Sequence, residues 1–98
     1  MLETLNEKSI NNLVEAIVSI GDKSECYKFL EDLCTVAEIK AMAQRLEVAK
    51  MLEDRMVYSD IARKTGASTA TISRVNRALN YGSGGYKNVL ARLEEGRK

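Results

Sequence analysis

The sequence predicts an all-α protein of about six helices, and three observations carry that prediction. Apolar residues return at helical spacing, about every three to four positions, in each long segment. Their alphabet is mainly Leu, Ile, Val, Ala and Met, with one phenylalanine and no tryptophan, which suits helices packed on helices. There is no proline, so no helix is broken from within by a missing backbone donor. Ninety-eight residues, 30% charged and 45% apolar, fit one globular domain of modest stability unless it oligomerises.

Taken in order, "LNEKSINNLVEAIVSI" sets Leu5, Ser9/Ile10, Leu13, Val14 and Ile17 on one stripe, and Gly21 is expected to end that first helix. "SECYKFLEDLC" gives a second helix, with Tyr27, Leu30 and Cys34 on one side and Cys26, Phe29 and Leu33 beside them. Apolar over much of its surface, it is expected to touch neighbours on more than one side. Thr35 followed by Glu38 is a capping-box pattern that opens a long third helix to about Leu52, striped by Ile39, Met42, Leu46, Ala49 and Leu52. "EDRMVYS" breaks the period. A fourth helix is expected over about Ser59 to Thr65 and a fifth over about Thr69 to Leu79. "NYGSGGY" reads as a flexible connection and "YKNVLARLEE" as a last amphipathic helix.

Several function classes fall away. No run approaches the ~20 apolar residues that cross a bilayer, and "MLETLNEKSI" lacks the basic-then-apolar pattern of a secretion signal. Cys26 and Cys34 are too far apart for a metal clip and are expected to be reduced thiols of a cytoplasmic protein. The chain has no histidine, which removes His-based triads and the common zinc sites. "GSGG" lacks the Lys-Ser/Thr that follows a phosphate loop and is better read as a turn. The expectation is no enzyme, no catalytic residue and no metal.

A net charge of +1 hides an asymmetry. Residues 1–54 hold six Lys/Arg and eleven Asp/Glu, whereas residues 55–98 hold nine and three. Between Ile61 and Leu93 there is no acidic residue, yet Arg63, Lys64, Arg74, Arg77, Lys87 and Arg92 all lie there. Such a split points to a polyanion met by the second half alone.

Within that segment, "DIARKTGASTATISRV" has the pattern of a helix-turn-helix. Ala62 permits a close helix crossing, and Gly66 supplies the left-handed residue that ends one helix and turns the chain. Ile61, Thr65 and Ala67 are expected inward around the turn, Ile72 and Val75 inward on the next helix, and Ser68 at its N-cap. Ser68, Thr69, Ala70, Ser73, Arg74 and Arg77 then face outward or along the flanks. Hydroxyls at such a tip bond base edges or phosphates, and Ala70 or the methyls of Thr69 and Thr71 meet a thymine methyl. Arg74 or Arg77 can take a guanine or a phosphate. Arg63 and Lys64, and Ser59 at the start of the supporting helix, are candidates for the phosphate backbone of double-stranded DNA. The competing reading is a helix corner that serves protein–protein interaction without sequence-specific DNA binding.

The run from "LCTVAEIKAMAQRLEVAKML" through "SDIARKTGASTATISRVNRAL" resembles the Trp repressor superfamily, and within it the YerC/YecD-like branch. The resemblance is tightest over about residues 30 to 80, with "GASTATISR" its most specific piece. It implies an intertwined homodimer of cytoplasmic bacterial regulators: a single domain over 1–98, with dimerisation helices over about 1–54, the helix-turn-helix over about 58–79 and a C-terminal helix over 86–96. Two recognition helices would meet successive major grooves of a pseudo-palindromic operator, acting as a repressor. In tryptophan-sensing members an indole lies between two arginines, which match Arg45 and Arg74, and a threonine backbone position matches Thr35. Arg45, with Ala41, Met42, Val48 and Ala49 around it, either stacks on a ring or lays its stem over apolar surface. The family's glycine is Val75 here and its ligand-side serine is Ala78. These departures imply that tryptophan is not the corepressor. No cofactor is implied, and an effector, if there is one, is an unidentified small molecule.

Overall fold

The computed structural model describes residues 2–5 and 7–96, and all regular structure among them is helical. A single 3₁₀ turn at Leu2–Leu5 precedes α1 (Lys8–Val18), α2 (Lys23–Leu33), α3 (Val36–Glu53), α4 (Tyr58–Thr65), α5 (Thr69–Tyr81) and α6 (Gly85–Glu95). Asn6, inside the first predicted stretch, lies outside the described residues. The chain separates into two compact units, which meet in sequence between Ile39 and Lys40.

In the first unit, α1 stops at Val18, three residues before the expected Gly21. Its C-cap is Ser19, whose N–H donates to the Glu15 carbonyl at 3.0 Å. Gly21 instead precedes Asp22, which caps α2 by accepting the Glu25 N–H at 2.8 Å. The capping box ahead of α3 forms as its sequence requires. The Glu38 N–H donates to Thr35 Oγ1 at 3.1 Å, and the Thr35 N–H donates to Glu38 Oε1 at 2.8 Å. The Thr35 N–H bond to the carboxylate, reinforced by the Thr35 side chain, favours the ionised form and holds the Glu38 pKa below its ordinary value of 4.5. Among the described residues of this unit none is buried. Leu13, Val14, Ile17 and Val18 on α1 stand exposed, as do Tyr27 and Leu33 on α2. Cys26 and Cys34 are half-buried free thiols.

The second unit holds the hydrophobic core. Val48 and Ala49 of α3, Ile61 of α4, Ala67 of the following turn, Ile72 and Val75 of α5 and Leu90 of α6 form one buried cluster. Met51, Leu52, Met56, Tyr58, Ala62 and Tyr86 pack around it. The stripe expected on α3 holds only in part: Ala49 and Leu52 reach the core, but Met42 and Leu46 stay exposed and Val48 takes the central place. The reason is that α3 is apolar on two sides, and only one of them has a partner in this unit.

α3 ends in a Schellman motif. The Met56 N–H donates to the Met51 carbonyl at 3.1 Å and the Arg55 N–H to the Leu52 carbonyl at 3.0 Å. The left-handed position is filled by Arg55 (φ 63°) rather than glycine. α4 begins at Tyr58, one residue before the expected Ser59, without a side-chain cap. α5 runs to Tyr81, two residues past the expected Leu79. Gly82 ends it at a close approach, since a Cβ there would collide with the Ala78 carbonyl oxygen.

Candidate nucleic-acid interface

The turn between α4 and α5 is assembled from hydrogen bonds that use nearly every polar group in it. Gly66, left-handed at φ 74°, donates its N–H to the Ala62 carbonyl at 2.8 Å. Thr65 Oγ1 donates to the Ile61 carbonyl at 2.7 Å and accepts the Ala67 N–H at 3.1 Å. From α3, Gln44 Nε2 donates to the Thr65 carbonyl at 3.1 Å. Ser68 Oγ accepts the Thr71 N–H at 3.1 Å, capping α5, and donates to Thr71 Oγ1 at 3.0 Å. Beneath this turn Ile61 and Ile72 are wholly buried, Val75 is 2% exposed and Ala67 5%.

Burial of Ile72, Val75 and Leu79 fixes which way α5 faces. At 100° per residue, the opposite side carries Ala70, Ser73, Arg74, Arg77 and Tyr81, with Thr69 on one flank and Thr71 on the other. Ser68, Thr69, Ala70, Ser73, Arg74 and Arg77 are exposed, as expected; Thr71 is half-buried with its hydroxyl engaged by Ser68. The tip of α5 therefore bears small and hydroxylated side chains, and its shaft bears two arginines. This surface can donate and accept hydrogen bonds without steric bulk and adds positive charge behind them.

On α4, Ser59, Arg63 and Lys64 are exposed. Arg63 is not a free cation: its Nη2 lies 3.0 Å from Asp60 Oδ1, in an exposed i,i+3 ion pair. Among the described residues it is the one ion pair within 4 Å. One residue of this face is absent from the sequence expectation. Tyr81, 87% exposed, extends the Ala70–Arg77 face by one more turn. It lies eleven residues beyond Ala70, about 16 Å along the axis, and so at the far end of that face from the hydroxylated tip. The i,i+3,i+7 spacing of Arg74, Arg77 and Tyr81 carries the signal, which a helix ending at Leu79 cuts off.

The residues matched to an indole site fall in both units. Thr35 is in the first, with its hydroxyl and N–H committed to the α3 cap. Arg45 is half-buried on α3, and Arg74 is exposed on α5. Val75 points into the core cluster, whereas Ala78 is exposed. No group of three or more His, Cys, Asp or Glu that could hold a metal occurs among the described residues. Nor is any described helix long and apolar enough to cross a membrane.

The family model described as Trp repressor protein matches residues 8–94. Over 94 residues the chain is 50% identical to the uncharacterized protein YerC of Bacillus subtilis (strain 168), covering 96% of this chain and 90% of that protein. A crystal structure of a TrpR like protein from Eubacterium eligens ATCC 27750 superposes with a TM-score of 0.88 at 54% identity, over 94% of this chain and 95% of that one. A second, titled "putative Trp repressor" from Staphylococcus aureus, gives 0.89 at 44% identity, over 96% of this chain and 94% of that one.

Proposed function

The chain belongs to the Trp repressor family, and from that premise we propose that it is a sequence-specific DNA-binding regulator, a cytoplasmic repressor that occupies a pseudo-palindromic operator as a homodimer. The observation that carries the reading is α5 itself. Its apolar side is spent entirely on the core, and its other side is a hydroxyl-tipped, arginine-backed face within the acid-free segment from Ile61 to Leu93. A helix corner built only for protein contact needs no such charge segregation.

Two further observations support the details. The first unit buries none of its described residues and exposes Leu13, Val14, Ile17, Val18, Tyr27 and Leu33. Apolar surface of that extent calls for a partner, and a second copy supplies the second of the two reading helices that a palindrome needs. Val75 is 2% exposed and packed against the α3 and α4 core residues, so its side chain stands where the tryptophan-sensing members keep a glycine. On this reading tryptophan is not the corepressor.

Selection of bound sequences from a random duplex pool tests the proposal. The expected result is a palindrome with half-sites about one helical turn, ~34–36 Å, apart. Affinity should fall with salt, and if Arg63, Lys64, Arg74 and Arg77 of both copies each met one phosphate the log–log slope would be about −7. A chain that fails to stay on duplex DNA at low salt would be an interaction module instead. Micromolar, stoichiometric tryptophan binding by calorimetry would refute the corepressor statement alone.

A further inference from the structure

We infer that Gln44 is a positioning residue for the recognition helix, setting where α5 is presented and hence its ability to discriminate between sequences; the inference rests on the DNA-reading proposal. The bonds inside the turn from Ile61 to Thr71 fix its shape but not its place on the rest of the unit. Ile61, Ala67 and Ile72 hold it to α3 by apolar packing, which is strong but non-directional. One directional link remains. The Gln44 amide on α3 donates to the Thr65 carbonyl, 21 residues away, at 3.1 Å. Among the described hydrogen bonds it is the one made by a side chain between residues more than four apart.

Its location makes it effective. Gln44 stands one turn before Val48, which is wholly buried, so its stem starts from the core-facing side of a well-packed helix. Thr65 is the last residue of α4, and its carbonyl is one of the four that a helix end leaves without an intrahelical donor. Three residues later Ser68 caps α5. A tether at Thr65 therefore acts at the pivot from which Thr69, Ala70 and Ser73 are aimed. A displacement of about 1 Å at that tip is enough to spoil hydrogen bonds to base edges, while long, flexible Arg and Lys side chains still reach phosphates.

The test compares Gln44→Met, of similar length but without the donor, with the wild-type chain on the selected duplex and on random duplex. The variant should lose about three- to tenfold in affinity for the selected site, the range expected for one net hydrogen bond, and less than twofold for random DNA. In hydrogen exchange the Gly66 and Ala67 amides should open faster in the variant. In the wild type the side-chain amide of Gln44, the chain's only glutamine, should exchange more slowly than a solvated one. Gln44→Asn, a methylene too short to reach Thr65, should reproduce the loss and serves if the Met variant does not fold. Equal losses on both duplexes, no loss at all, or a freely exchanging Gln44 amide would each overturn the inference while leaving the regulator proposal standing. A wild-type chain that prefers no duplex sinks both.

Discussion

Replacing Arg55 by glycine should make the protein more stable, although it removes a side chain and adds backbone freedom. Arg55 sits at φ 63°, the left-handed position of the Schellman motif that closes α3. An L-residue with a Cβ costs roughly 1–2 kcal/mol there, and glycine removes that cost. Against it stands the greater entropy of a glycine in the unfolded chain, about 0.4–1 kcal/mol. The side chain is exposed and forms no ion pair within 4 Å among the described residues, so little contact energy is lost. The balance favours Arg55→Gly by about 0.5–1 kcal/mol, or about 2–8 °C in Tm for a chain of this size. Urea titration followed by circular dichroism, at one fixed protein concentration because assembly shifts the midpoint, should show a higher midpoint at unchanged slope. A lower or equal midpoint would refute the argument that Arg55 is held in a strained conformation by the motif around it.

Three companion changes probe neighbouring statements. Gly66→Ala is the mirror case: nothing crowds a Cβ there, so the φ of 74° alone should cost about 1 kcal/mol in the same titration. Asp60→Asn frees Arg63 from its carboxylate; stability should move by less than about 1 kcal/mol, whereas affinity for all duplexes should rise and the salt dependence steepen, read by anisotropy over a salt series. Glu38→Gln should remove a pH dependence: because the folded carboxylate has a lowered pKa, its contribution is complete above the ordinary 4.5 and is lost as pH falls through the folded value. The stability gap between wild type and Glu38→Gln should therefore be constant near neutrality and narrow in acid.

What the sequence disclosed was whatever is decided locally. Thr35 and Glu38 are three residues apart and cap each other, Gly66 takes the one conformation that only glycine adopts cheaply, and Ser68 caps α5, all within a single turn of chain. Ile61, Ala67, Ile72 and Val75 were legible as inward because the corner leaves them no other direction. The errors arise where a choice is settled at a distance or between near-equal options. α3 is apolar on two sides, and the period does not say which of Val48 or Met42 and Leu46 meets the core. α1 has no stop signal at Ser19, and Gly21 was the conspicuous residue nearby, while the stronger Asp22 cap stood next to it. The Gln44–Thr65 bond spans 21 residues and has no local signature at all. For the candidate site, the exposed face of α5 is legible, but the pairing of Arg63 with Asp60 and the extension of the helix to Tyr81 depend on side-chain geometry and a helix end that the period does not fix.

The bonds that brace the corner rely on Gln44, Thr65, Ser68 and Thr71, and none of them uses Thr69, Ala70 or Ser73. Those three exposed positions can be exchanged with small effect on folding. If α5 reads DNA as proposed, retargeting is a matter of surface chemistry: a descendant of this chain can acquire a new preference through a few substitutions, each tolerated on arrival, while the scaffold beneath stays unaltered.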